Sequence, residues 1–119
     1  MYGLPEDFDG SSWVGKSLEL VCFAKYTVSF HFSGNLRVTV ESSFSYQKSG
    51  TYSTPKAVHL PVVQSPLMEL IGHNISGVAN EGDGTLRIEF DNGEILRCYD
   101  PPGPYESYNI EDAGKLTIV

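Results

Sequence analysis

The sequence has few cationic residues. Its 119 residues include 8 Lys and Arg against 15 Asp and Glu, which gives a formal net charge of -7 at pH 7. A chain this acidic argues against nucleic acid or an anionic membrane as the main partner. Long apolar runs are also missing, because the longest one covers only residues 20–24 and is far too short to span a membrane.

Secretory features and cysteines are equally scarce. Residues 1–7 contain neither a basic n-region nor an apolar h-region, so we expect a cytoplasmic protein. The two cysteines, Cys22 and Cys98, fall in different predicted strands. In a cytoplasmic chain we expect both thiols to be reduced and buried, and a disulfide is the alternative if the chain is exported by another route.

No arrangement of residues typical of an enzyme is found. His31, His59 and His73 are far apart in the sequence and have no cysteine or carboxylate cluster beside them, so we expect no metal site and no cofactor. A serine nucleophile turn and a phosphate-binding glycine loop are also lacking. We therefore expect a non-catalytic protein. The alternative is a small-molecule-binding barrel, or an enzyme whose site is assembled from scattered groups such as His31, His59 and Glu106.

What dominates the sequence is an alternation of apolar and polar residues with a period of two, which is typical of half-buried strands. Val28, Phe30 and Phe32 share one face, and in the preceding strand Leu18, Leu20 and Cys22 share one parity. Turn signals separate the strands, the strongest being an Asn-Gly pair at residues 92–93. The pattern predicts two three-stranded antiparallel meanders, with strands at residues 17–23, 27–32 and 36–40, and at residues 75–79, 85–90 and 95–99.

The two meanders also correspond in sequence, which indicates an internal duplication, although any two meanders can align by chance. The matched positions are Val14-Gly15 with Ile71-Gly72, Leu18 with Ile75, Val21 with Val78, Phe30 with Ile88, Phe32 with Phe90 and Leu36 with Ile95.

Between and after the meanders the signals are weaker. Residues 44–54 predict a long hairpin or a loop, and residues 56–63 predict an edge strand that Pro61 weakens. Residues 65–72 predict one short helix, because a proline occupies its first position and a glycine ends it. Short closing strands are predicted at residues 105–110 and 116–119.

We therefore predict one mainly β domain over residues 1–119. It is an antiparallel β-sandwich or open barrel of about eight strands from two meander repeats, with one short helix. The first meander spans residues 13–43, the connection spans residues 44–72, and the second meander with the closing strands spans residues 73–119.

The negative charge is concentrated in the second half of the chain. Residues 81–112 contain nine acidic and two basic residues, a balance equal to the net charge of the whole chain. This charge forms either a solvated face or a surface for a basic protein partner. Tyrosines lie among the acids and are good interface residues. The predicted partner-binding residues are Asp83, Asp91, Glu94, Asp100, Tyr105, Glu106 and Tyr108, and an aromatic strip of Phe44, Tyr46 and Tyr52 is the second surface to consider.

Several segments resemble a family of small uncharacterised bacterial proteins that end in a Tyr-Glu-x-aromatic block. They are Trp13-Val14-Gly15-Lys16-Ser17-Leu18, Phe30-His31-Phe32-Ser33-Gly34, Leu70-Ile71-Gly72, Thr85-Leu86-Arg87-Ile88-Glu89-Phe90-Asp91-Asn92-Gly93 and Tyr105-Glu106-Ser107-Tyr108. Tyr108 stands where the family leads us to expect Trp. Chains of this type are similar to immunity proteins of bacterial toxin systems. The resemblance therefore implies a protein that neutralises a basic toxin, such as a nuclease, by direct binding.

Overall fold

A computed structural model of the protein describes residues 4–47, 56–57, 66–101 and 106–119. These residues form ten strands and two short 3-10 helices. The strands are β1 (Leu18–Phe23), β2 (Val28–Phe32), β3 (Leu36–Val40), β4 (Ser43–Gln47), β5 (Lys56–Ala57), β6 (Ile75–Asn80), β7 (Leu86–Phe90), β8 (Ile95–Tyr99), β9 (Tyr108–Asp112) and β10 (Lys115–Ile118), and the helices are η1 (Ser11–Trp13) and η2 (Pro66–Leu70).

The strands form two five-stranded antiparallel sheets. Sheet one has the order β1-β2-β3-β9-β10 and sheet two has the order β5-β4-β8-β7-β6. The inner faces of both sheets contribute to one apolar core that includes Phe30, Val38, Ile88, Leu96 and Ile110. The prediction of a mainly β antiparallel sandwich is therefore confirmed, and the described strands do not close into a barrel.

Element boundaries follow the sequence signals with local differences. The predicted short helix is present as η2, a 3-10 helix that begins at Pro66. The predicted closing strand at residues 105–110 is shifted, since β9 covers Tyr108–Asp112. Most of the predicted edge strand, residues 58–63, lies outside the described residues, as do residues 48–54 of the predicted hairpin.

Each half of the chain completes the sheet that the other half begins. Strands β1, β2 and β3 are joined by β9 and β10 from the second half, whereas β6, β7 and β8 are joined by β4 and β5 from the first half. The two five-strand units therefore exchange their last two strands. As a consequence, neither meander forms a complete sheet from its own half of the chain.

The junction between the two halves repeats the same backbone contacts twice. Ser17 and Asn74 form an isolated bridge. Ser33 N–H donates to Ser17 C=O at 2.9 Å, and Asp91 N–H donates to Asn74 C=O at the same distance. Side chains match too, since Ser17 N–H donates to the Ser33 hydroxyl and Asn74 N–H donates to the Asp91 carboxylate. The contacts therefore have an approximate twofold relation.

Two further hydrogen bonds cross this junction in a reciprocal way. Gly15 N–H donates to Ile75 C=O at 2.8 Å, and Gly72 N–H donates to Leu18 C=O at 2.8 Å. Both glycines have a positive φ, 94° and 93°, which a residue with a side chain rarely adopts. The matched glycines are therefore backbone requirements of the repeated junction, and they support the duplication that the sequence indicated.

The strand pairing agrees with the sequence match of the two meanders up to the last turn of each and differs after it. Leu18 pairs with Phe32 and Ile75 pairs with Phe90, as the repeat requires. Phe32 then pairs with Leu36 across the first turn, whereas Phe90 N–H donates to Glu94 C=O across the second. Leu36 therefore corresponds to Glu94, and its match with Ile95 was wrong by one residue.

A bulge at the start of β1 overturns the expected parity of this strand. The register of β1 against β2 shifts between Leu18 and Leu20, so Val21 lies opposite the buried Phe30 while Leu20 and Cys22 point to the outer face. An extra residue in a strand moves every following side chain to the other side. The expectation of two buried thiols was therefore wrong, because Cys22 is exposed and only Cys98 is buried.

Candidate functional site

The predicted acidic residues lie at two opposite ends of sheet two. Asp83 and Asp100 lie at the end where Leu86 pairs with Cys98, whereas Asp91 and Glu94 lie at the hairpin between β7 and β8. A five-residue strand separates the two ends by about 17 Å. The sequence prediction of one continuous acidic surface therefore divides into two separate groups.

The first end gathers carboxylates from distant parts of the chain. The Ser107 hydroxyl donates to the Asp100 carboxylate at 2.7 Å. The backbone N–H groups of Glu41 and Ser42 donate to Ser107 C=O at 2.9 and 3.0 Å. Residues at the ends of β3, β8 and the segment before β9 are thereby held together. Glu106 precedes Ser107 and is exposed, as Glu41 is.

An open depression of about 530 Å³ lies at the same end of sheet two. Its lining includes Glu6, Asn80, Asp83, Gly84 and Asp100. Gly84 has a φ of +89°, which favours glycine, and a Cβ there would also lie 2.7 Å from an Asp100 carboxylate oxygen. Five carboxylates form this acidic end: Glu6, Glu41, Asp83, Asp100 and Glu106.

Two carboxyl groups of the acidic end show opposite changes in pKa. The hydroxyl and the backbone N–H of Thr85 hydrogen-bond to Asp83 and hold the pKa of its carboxyl below the usual value. Partial loss of solvent, and then the adjacent Glu106 carboxyl, raise the pKa of Glu41. Glu41 and Glu106 are therefore close enough to repel each other when both are ionised.

The carboxylates of the acidic end have no cationic side chain bonded to them among the described residues. Other acids in the same half of the chain do have cationic partners. Glu81 accepts from Arg87 at 3.3 Å and from Arg97 at 3.2 Å on the outer face of sheet two. The two arginines in the acidic half of the chain thus neutralise that face and leave the acidic end negative.

At the opposite end of sheet two, the predicted partner-binding residues Asp91 and Glu94 interact with other side chains of the protein itself. Asp91 lies 2.8 Å from the His73 ring nitrogen and accepts from Asn74 N–H. The hydrogen bond with His73, followed by that with Asn74, lowers the pKa of Asp91. Glu94 lies beside the Tyr46 hydroxyl, and burial together with this carboxylate raises the pKa of Tyr46.

The two tyrosines predicted to bind a partner, Tyr105 and Tyr108, do not form an exposed surface among the described residues. Tyr108 is fully buried, and its hydroxyl donates to Gly84 C=O at 2.6 Å. Its hydroxyl therefore holds the backbone of the acidic end at Gly84. Because Tyr108 has no exposed surface, it does not contact a partner. Tyr105 lies outside the described residues. In the proposed aromatic strip, Phe44 and Tyr46 are buried in the core and Tyr52 lies outside the described residues.

The alternative was an enzyme site built from His31, His59 and Glu106. The described residues of this set do not lie together. His31 pairs with Arg37 near the β2–β3 turn. Glu106 lies two residues before Tyr108, which pairs with Val40 at the other end of β3. His59 lies outside the described residues. Within the part of the chain that the structure describes, no three His, Cys, Asp or Glu side chains are grouped as metal ligands.

Sequence reasoning missed Glu6 and Glu41 at the acidic end. Both precede the acidic half of the chain, and only the strand exchange brings Glu41 beside Glu106. The one signal in the sequence was that Glu41 directly follows a predicted strand, where a side chain lies at a sheet end.

The family of the chain can be stated from a comparison with family models, since one matches residues 11–119. The chain belongs to the Family of unknown function DUF6188. The matched range includes every strand described above and both 3-10 helices. No curated protein and no solved structure matches the chain. Within the described residues, no helix is long and apolar enough to cross a membrane.

Proposed function

We propose that this protein is a non-catalytic binding protein whose acidic end takes a basic protein partner. The supporting observation is the convergence of Glu41, Asp100 and Glu106 around Ser107, whose hydroxyl donates to Asp100 and whose C=O accepts from the N–H of Glu41. Carboxylates without a cationic side chain, held on strand ends and short turns, present a fixed negative surface. A protein surface rich in Lys and Arg complements it.

The partner class that we propose is a bacterial toxin domain with a basic active site, such as a nuclease. The resemblance to immunity proteins supports this class, and the charge of the acidic end agrees with it. An active site that binds phosphate groups attracts carboxylates as well, so an acidic protein can cover it. In this proposal the protein acts in the cytoplasm, without nucleic acid, membrane or cofactor.

The charge test compares two variants with the same net charge. Glu41→Lys with Glu106→Lys changes the acidic end at two exposed glutamates that make no turn contact. Glu19→Lys with Glu89→Lys changes two solvent-accessible acids away from the acidic end, of which Glu89 makes only an exposed ion pair with Arg87. We expect the first pair to slow association with the basic partner by roughly tenfold or more at low salt, and the second to have little effect.

The partner for this experiment is sought as the product of the reading frame directly upstream. We expect that product to be toxic when expressed alone and harmless when expressed with this protein. Added salt should reduce the difference between the two variants, because exposed charges are screened. An equal loss of binding in both variants contradicts the acidic end as the site, and toxicity without rescue contradicts the proposed partner class.

A further inference from the structure

The segment that precedes η1, residues 4–10, is held against the edge of sheet two. Leu4 is buried, and the side-chain N–H of Asn80 in β6 donates to Pro5 C=O at 3.5 Å. Phe8 N–H donates to the same carbonyl oxygen at 3.0 Å and closes a turn within the segment. This N-terminal segment therefore has a fixed position on the folded domain.

The N-terminal segment also forms one wall of the depression at the acidic end. This depression of about 530 Å³ is lined by Leu4 and Glu6 from the segment, and by Asn80, Asp83 and Asp100 at the end of sheet two. One apolar side chain and three carboxylates thus border a single open space. Lys and Arg have an aliphatic stem below a charged group, so a side chain of either type is complementary to this lining.

The carboxylates of Glu6, Asp83 and Asp100 keep their charge available for a partner. Asp83 accepts from Thr85 N–H at 2.9 Å, and Asp100 accepts from the Ser107 hydroxyl at 2.7 Å. These neutral donors hold the two aspartates in position without cancelling their charge. Among the described residues, no Lys or Arg side chain forms an ion pair with the three carboxylates. A cation supplied by a partner therefore forms the stronger, charge-assisted kind of hydrogen bond here.

The two sides of the depression differ in their relation to the family. Residues 11–119 match the family model, and the N-terminal segment precedes them. Asp83 and Asp100 belong to the matched range, so the family domain supplies one side of the depression and the segment supplies the other. Binding residues are often carried by connecting segments that a rigid scaffold positions. The N-terminal segment is thus placed to set which partner the acidic end accepts.

We propose that the N-terminal segment determines the partner specificity of the acidic end by completing a pocket for one Lys or Arg side chain. The aliphatic stem of this side chain packs on Leu4, and its charged group lies among the carboxylates of Glu6, Asp83 and Asp100. The proposal rests on the proposed function, because the pocket receives a residue of the same basic partner. Glu6 then contacts the partner directly, whereas its neighbour Asp7 contributes only charge.

The first test measures how fast the basic partner dissociates. It uses about 0.5 M salt, where steering by exposed charges is largely screened. Glu6→Gln should raise the dissociation rate about three- to tenfold, because a charged contact is lost. Asp7→Asn is the matched control, since Asp7 is an exposed acid of the same segment and does not line the depression. It should leave the dissociation rate unchanged.

The second test needs no partner and examines the pocket with small cations. n-Butylammonium reproduces the side chain of lysine, and methylammonium has the same charge without the stem. Titration followed by NMR of the backbone N–H groups should show n-butylammonium binding at Glu6 and Gly84, with a dissociation constant on the order of millimolar. Methylammonium should bind at least about threefold more weakly, because it has no stem to pack on Leu4.

The same two variants serve in the titration. Glu6→Gln should weaken n-butylammonium binding several-fold, and Asp7→Asn should not. Circular dichroism checks that both variants are folded. N–H groups of the depression that do not shift, or equal affinities for the two ammonium ions, would overturn the pocket.

Failure of this proposal is distinct from failure of the proposed function. A partner that responds to the Glu41 and Glu106 substitutions, but dissociates from Glu6→Gln at the unchanged rate, would leave the function standing and overturn the role of the segment. If no basic partner binds at all, the proposed function fails, and the specificity proposed for the segment fails with it. The ammonium titration then decides only whether the pocket itself exists.

Discussion

At the scale of single residues, Glu41 shows how the fold places two like charges together. Its carboxyl lies beside that of Glu106, and its pKa is raised. A carboxyl with a raised pKa in the folded state binds its proton more tightly there than in the unfolded chain. This carboxyl therefore lowers the free energy of unfolding at neutral pH, and the loss disappears as the pH falls below about 4.5.

Glu41→Gln should accordingly stabilise the protein at pH 7. We expect the free energy of unfolding to rise by less than about 1 kcal/mol, because the pair is exposed and screened by solvent. The gain should shrink towards zero near pH 4. Urea unfolding at pH 4, 5.5 and 7 measures this, with Glu19→Gln as a control outside the acidic end. A decrease in stability at pH 7 would show that Glu41 has a favourable contact there.

At the scale of elements, the segment before η1 is fixed to sheet two by a close approach of backbone. A Cβ placed on Gly10 would lie 2.4 Å from a methyl group of Val78 in β6. The backbone of Gly10 has a φ of -96°, which any residue adopts, so the requirement for glycine is steric. Asn80 adds a hydrogen bond to Pro5 C=O at 3.5 Å from the same strand.

Gly10→Ala should therefore lower the free energy of unfolding by about 1–3 kcal/mol through overpacking. Val78→Gly should remove this clash, because Cγ1 and Cβ of Val78 are the two atoms that lie 2.4 and 2.7 Å from the added Cβ. We expect the double variant to lose less stability than the two single variants together, and chemical denaturation of all four proteins measures this coupling. Additive losses would mean that residue 10 is not in contact with β6 in solution.

At the scale of the whole molecule, the exchange of strands between the two halves makes each sheet depend on both. Sheet one loses β9 and β10 if the second half unfolds, and sheet two loses β4 and β5 if the first half unfolds. The core is also shared, because Trp13 is buried and its indole N–H donates to Asp112 in β9 at 3.1 Å.

The protein should consequently unfold in one cooperative transition. Fluorescence of Trp13, its only tryptophan, reports the contact between the two halves, and far-UV circular dichroism reports the strands. We expect the same urea midpoint from both probes. Separate midpoints would show that one half keeps its structure without the other, contrary to the exchanged topology.

Local sequence patterns were enough to predict the class of fold and most of the residues on the inner faces of the sheets. Alternation with a period of two places Phe30, Val38 and Ile88 in the core, because successive side chains of a strand point to opposite faces. The hairpin turns and the start of η2 at Pro66 were also readable, since glycine, asparagine and proline restrict the backbone locally. These features depend on neighbouring residues only.

Tertiary structure decided the rest. The bulge after Leu18 turned Cys22 outward, and no local residue marks it unambiguously. The choice of β9 as the neighbour of β3 placed Glu41 beside Glu106, although more than sixty residues separate them in the sequence. Sheet pairing over such distances is decided by how two apolar faces fill one core, and this depends on the whole chain at once. The acidic end is therefore a product of topology, while its charge was already present in the sequence.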